Sequence, residues 1–172
     1  MELYSSRENP YKKVQLVLLV LAGVLAGIIL ARLFVTPYRV PDITMQPAIQ
    51  KGELAWFLKV GSPGKGEIVL YQSPLQPGHY MAGRIVAIAE DMVEVRDKTI
   101  LINGKPLKGD WKVTWEDERK FPMKFSQRDS MPTMKVPMRS YFIISDNLDF
   151  SMDSRSFGPV DRELIEGTLL FQ

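Results

Sequence analysis

One hydroxyl in this chain sits where its reactivity is worth testing. In "VPDITMQPAIQKGE", residues 40–53, Thr44 is followed by Met45 and then, two residues on, by Pro47. A threonine hydroxyl attacks a carbonyl only when a neighbouring base takes its proton, and that base must come within roughly 3 Å. Candidates are few. The chain has no cysteine and one histidine, His79, which excludes thiolate catalysis and argues against the usual catalytic zinc sets. No metal and no cofactor is expected. A lysine serves as a base only where burial lowers its pKa far below the free value of ~10.4. Lys51, Lys105 and Lys135 are available, and each reads first as a solvated surface charge. A second polar constellation is "SDNLDFSMDSRSFGPV", residues 145–160, in which Asp153 and Arg155 are suited to a charge-assisted pair that braces strands.

The elements that must position these groups begin with a hydrophobic run. "VQLVLLVLAGVLAGIILARLFV", residues 14–35, carries only Gln15 near its start and Arg32 near its end as strongly polar residues. About 20 apolar residues cross a bilayer core. Arg7, Lys12 and Lys13 precede the run, favouring a cytoplasmic N-terminus. A cleaved signal peptide is the rival reading, with "VLA" at 24–26 as a processing site, but the apolar stretch runs past that site and exceeds the usual signal core.

Beyond residue 38 the pattern is strand-like: "ELAWFLKV" (53–60), "EIVLYQ" (67–72), "GRIVAIAE" (83–90), "MVEVRD" (92–97), "TILING" (99–104), "SYFIIS" (140–145) and "GTLLFQ" (167–172). Each is short, rich in β-branched and aromatic residues, and bounded by turn residues. A hairpin is expected around Asp97–Lys98, with Val93 and Val95 on one face. Residues 105–137 differ, being charged, with Trp111, Trp115 and several prolines, and read as a long excursion or cap with room for one more hairpin. The two tryptophans suit either a lipid interface or core packing. The predicted fold class is all-β, mostly antiparallel, behind one N-terminal transmembrane helix. Residues 1–13 form a cytoplasmic tail, 14–35 the anchor, and 36–172 a β-domain on the outer face of the cell membrane, with 108–137 as its variable cap. With 24% charged residues and a net charge of +2, basic residues are interleaved with acids, so nucleic acid is not an expected partner.

Four segments in order resemble the bacterial type I signal peptidases. "PYRVPDITMQPAIQKGE" is similar to their membrane-proximal Ser-Met-x-Pro box, "GEIVLY" to their Gly-Asp-Ile-Val strand, and "GRIVAIAEDMVEVRDKTILINGKPL" to their Lys-Arg strand pair with its Asn-Gly-Lys turn. "SDNLDFSMDSRSFGPV" is similar to their Gly-Asp-Asn box and is the most specific of the four. The resemblance implies an anchored β-domain that cleaves signal peptides with a serine nucleophile and a neutral lysine base. It places the nucleophile at Thr44 and the lysine at Gly83, next to Arg84; slipping the register to Ala82 supplies no base either. Asp42 falls where a small hydroxyl residue would donate to the oxyanion, and Met45 where the pocket for a small side chain is lined. Pro47, Asp91, Asp146, Asn147, Ser151, Asp153, Ser154, Arg155 and Gly158 keep the pattern.

The departures bear on chemistry. Glycine accepts no proton, and losing the base of such a unit costs about four to six orders of magnitude in rate. An ionised Asp42 accepts hydrogen bonds and donates none. Ala89-Glu90 replaces Pro-Gly before Asp91, so that turn is expected to close differently. The last box begins with Ser145 and has Leu148 and Phe150 at usually polar positions. Ser151, which the resemblance assigns to holding the lysine, is expected to have nothing to hold. His79 lies four residues before Gly83, about 13 Å away along an extended strand. Three readings follow: a signal peptidase-like pseudoenzyme that binds signal peptides of exported preproteins or an active paralogue; a working peptidase using Thr44 and an unidentified base; and an anchored peptide-binding or assembly module.

Overall fold

The structure, a computed structural model, describes residues 10–115 and 117–171. It separates into two units, divided after Phe34. In the first, helix α1 (Pro10–Phe34) is a single run. Its Tyr11–Phe34 stretch is long and apolar enough to cross a membrane. Large side chains are exposed around its whole circumference, as expected of a helix that meets lipid on all sides.

Among the described residues the second unit is built from eleven strands: β1 (Val35–Arg39), β2 (Leu54–Leu58), β3 (Ile68–Gln72), β4 (Tyr80–Ile88), β5 (Met92–Arg96), β6 (Thr99–Ile102), β7 (Lys105–Pro106), β8 (Met131–Lys135), β9 (Ser140–Ile144), β10 (Val160–Asp161) and β11 (Ile165–Phe171). A short helix, α2 (Ser154–Phe157), lies between β9 and β10. One sheet has the order β1-β2-β11-β3-β4-β9-β10 and the other β7-β6-β5-β8. Every strand pairing is antiparallel.

Alternation along the strands sets the cores. Phe57, Leu70 and Ala82 turn to one face of the large sheet, where Val40, Met45 and Ile49 join them. Tyr71, Ile85 and Ile143 turn to the opposite face. Val93 and Val95 are both buried against Val86 and Phe142. The β5–β6 hairpin closes with Asp97 at φ 48 and Lys98 at φ 69, between the paired residues Arg96 and Thr99. Positive φ at both central residues matches the twist of the flanking strands.

Among its described residues the excursion holds no hairpin of its own: β7 pairs with β6 and β8 pairs with β5, adding one strand to each side of the existing pair. Its middle runs across the last box instead. Thr114 bridges Asn147 in parallel, donating from its N–H to the Asp146 carbonyl at 2.8 Å and accepting from the Leu148 N–H at 3.1 Å.

Candidate active site

The Thr44 loop is pinned from below and from both ends. Met45 and Ile49 are fully buried and anchor the loop in the core. The Val40 N–H donates to the Glu53 carbonyl and the Gly52 N–H to the Val40 carbonyl. Gly52 sits at φ 84, where a side chain would be strained. The Gln46–Pro47 peptide is cis. Thr44 itself is half-buried, and its carbonyl accepts from the Asn147 N–H at 2.8 Å, which ties the loop to the last box. The Thr44 hydroxyl donates to Asp42 Oδ1 at 2.6 Å, and the Thr44 N–H reaches the same oxygen at 3.0 Å. Asp42 therefore accepts the hydrogen bond that the hydroxyl has to give at this site.

Thr44 and Asp42 line a cavity of about 70 Å³ together with His79, Met81 and Ala82. Tyr80, Met81 and Ala82 of β4 line this wall, and Gly83 does not. Gly83 looks toward the other core. A Cβ built there would stand 2.5 Å from Ile143 Cγ2, 3.2 Å from the Ile144 carbonyl oxygen and 3.2 Å from Tyr71 Cε1. Tyr71 is buried, and burial raises its phenol far above the usual range, with the Asp153 and Tyr38 charges acting in the same direction. It is a neutral phenol and takes no proton.

The other candidate bases divide clearly. His79, expected to be remote, lines the Thr44 cavity because the turn before β4 folds back: the Ser73 N–H donates to its carbonyl, and its own N–H donates to the Gln76 carbonyl. Lys135 is exposed and paired with Glu90 at 2.6 Å. Lys51 and Lys105 are exposed and do not line this cavity.

The last box is a framework of buried ion pairs. Arg84 grips Asp146 with two bonds, Nε to Oδ1 at 2.8 Å and Nη2 to Oδ2 at 2.6 Å, and donates a third to the Gly66 carbonyl. Burial pushes the Asp146 carboxyl above its usual value, although Arg84 pulls the other way. Asp153 and Arg155 form the second pair, at 2.8 Å, each with 1% of its side chain exposed. Asp153 also caps α2 by accepting from the Arg155 N–H, and Gly158 closes that helix at φ 87. The Ser154 hydroxyl accepts from the Ile143 N–H at 3.0 Å. Trp111 and Trp115 lie over the guanidinium groups of Arg84 and Arg155 at 5.1 and 5.5 Å, a cation–π cover for each pair. Leu148, where a polar residue was the norm, is fully buried in the core.

Two further expectations are overturned. Ser151 is not idle: it donates to Asp153 Oδ2 at 3.1 Å and accepts from Arg155 Nη2 at 2.9 Å. The turn before Asp91 also keeps a left-handed residue without glycine, since Glu90 adopts φ 75. Its N–H donates to the Val136 carbonyl and its carboxylate meets Lys135, two contacts that hold it there. Asp91 behind it accepts from the Ile88 N–H and Asn103 and pairs with Lys65 at 2.7 Å.

A half-buried hydroxyl thus lies beside a cleft, held over a two-sheet antiparallel frame that buried Arg–Asp pairs brace. Comparison with known proteins makes this specific. The family described as "Signal peptidase, peptidase S26" matches residues 13–172. Signal peptidase I of Bacillus licheniformis is 33% identical over 158 residues, covering 89% of this chain and 83% of its own. Signal peptidase IB of Staphylococcus aureus is 26% identical over 162 residues, covering 84% and 80%. A crystallised signal peptidase I of Enterococcus faecalis is 29% identical with a TM-score of 0.49, covering 64% of this chain and 98% of its own. The chain belongs to the signal peptidase family, peptidase S26, and its apolar helix together with the family match and the Bacillus relative points to a membrane-anchored protein.

Proposed function

We propose that this chain engages signal peptides of exported preproteins, or an active paralogue, at the outer face of the membrane without Ser/Lys hydrolysis, its N-terminus lying in the cytoplasm. The observation that carries this is the filling of the volume at Gly83. Ile143 and Tyr71 occupy the space in which a side chain would start, Ala82 offers only a methyl to the cavity, and the Thr44 hydroxyl is spent on Asp42. The frame around the cleft, with its two buried Arg–Asp pairs, remains intact. Such a site holds a peptide without activating the alcohol beside it.

The test uses the full-length protein in membranes. A preprotein carrying a photo-reactive residue in its signal sequence is expected to crosslink near Ala82 and to stay uncleaved on prolonged incubation. Cleavage that disappears in Thr44→Ala would overturn the reading. A second reading, residual hydrolysis with His79 as base, is favoured by the cavity that His79 shares with Thr44. It requires cleavage that is lost in both Thr44→Ala and His79→Ala.

A further inference from the structure

The cavity at Thr44 is one half of a cleft between two strand edges. β1 ends the large sheet, so its edge away from β2 pairs with no strand among the described residues. Residues 80–83 of β4 pair with β3 on one side, while β9 joins β4 only from Arg84 onward. Three strands separate β1 from β4 in the sheet, roughly 19 Å if it were flat. Yet the Tyr38 hydroxyl donates to the Tyr80 carbonyl at 2.8 Å, so the sheet curls until the two edges face each other. Tyr38 and Tyr80 both line the compartment of about 70 Å³ that holds Asp42, Thr44 and His79. They also line a second compartment of about 320 Å³, with Thr36, Lys59, Leu70 and Glu166. Their contact is the partition.

We propose that the Tyr38–Tyr80 hydrogen bond is a latch that closes this cleft to an extended peptide and opens when one enters. The proposal deepens the reading above and rests on it for the identity of the peptide. A chain inserted between two free edges takes its register from backbone hydrogen bonds to both, and the Tyr80 carbonyl is one of the acceptors it needs. Tyr38 holds that acceptor. Its ring is braced edge-on against Phe57, centroids 6.4 Å apart, so the hydroxyl is presented in a fixed place. Burial first and the Asp42 charge second raise its pKa, which keeps it a donor. Tyr80 is exposed, so solvent can satisfy its carbonyl once the latch opens.

The chain has no native cysteine, so Ala82→Cys places a unique thiol in the smaller compartment. In full-length protein in nanodiscs, its labelling by a small methanethiosulfonate is expected to be about fivefold faster when Tyr38→Phe is added, the effect of one neutral hydrogen bond. Equal labelling rates would overturn the latch. Phenylalanine keeps the packing on Phe57, and an unchanged melting temperature verifies that the fold is intact. A fluorescent signal peptide should bind Tyr38→Phe about fivefold more tightly than the unaltered chain, and measurable binding that is equal or weaker also overturns the latch. If the thiol is accelerated while neither form binds the peptide, the latch stands and the signal-peptide reading is what fails.

Discussion

The packing at Gly83 can be tested without any assay of activity. Gly83→Ala puts a methyl 2.5 Å from Ile143 Cγ2, about 1 Å inside the usual carbon–carbon contact distance. Ile143 is fully buried, and Cγ2 branches directly from its Cβ, so no flexible end can swing away. Overpacking of this kind costs about 1–3 kcal/mol, offset by about 0.5–1 kcal/mol because alanine loses less backbone freedom than glycine in a strand. The net destabilisation is about 0–2.5 kcal/mol. Ile143→Leu moves the branch one carbon outward and removes Cγ2, at a cost below about 1.5 kcal/mol by itself. In that background Gly83→Ala should be neutral or slightly stabilising, giving a coupling of about 1–3 kcal/mol in a double-mutant cycle. Urea unfolding of the full-length protein in detergent, followed by fluorescence of its three tryptophans, measures all four corners. Additivity within about 0.5 kcal/mol would refute the claim that Ile143 fills the space over Gly83. The same geometry bears on introducing a serine and a lysine at these positions. Asp42→Ser, Thr44→Ser and Gly83→Lys together should cleave a preprotein only when Ile143→Leu accompanies them.

Two further outcomes follow from the frame. Arg84→Ala strands the Asp146 carboxylate in the core and should cost about 3–5 kcal/mol, whereas Arg84→Met with Asp146→Leu should cost less than the single change; chemical denaturation compares them. Asp91 supplies a pH dependence: burial pushes its carboxyl up, but Lys65, the Ile88 N–H and Asn103 outweigh this and hold it below the usual range. A depressed folded-state pKa gives stability that is present above the unfolded value, about 3.9, and lost as pH falls through the folded one. Asp91→Asn should therefore lower the melting temperature at neutral pH and narrow its gap from the unaltered chain as pH drops below about 4.

What could be read in the sequence was whatever local pattern decides. The seven expected strands appear because alternation and flanking turns fix them, and the Asp97–Lys98 hairpin because two residues between paired strands leave few turn types. Two of the strands that escaped notice have physical reasons to. β1 carries Pro37 and merges into the apolar run before it; β8 carries Pro132 and methionines where β-branched residues are usual. Both are sheet edges, the places where proline's missing N–H is tolerated. Glu90 at positive φ was illegible because two tertiary contacts, not residue type, hold it there.

The site divides along the same line, between register and volume. Strand register sets Gly83 beside Arg84 and against Val69, and that much follows from one-dimensional spacing. Which side chain occupies the space over Gly83 depends on β9, some sixty residues later, and His79 approaches Thr44 through a turn whose closure is backbone hydrogen bonding rather than strand extension. A missing side chain in a sequence is only an absence. In the folded chain it is a volume, and Ile143 with Tyr71 has taken it. Their presence makes the space over Gly83 a packed wall rather than a vacancy, so a lysine introduced there needs a compensating change on β9 first.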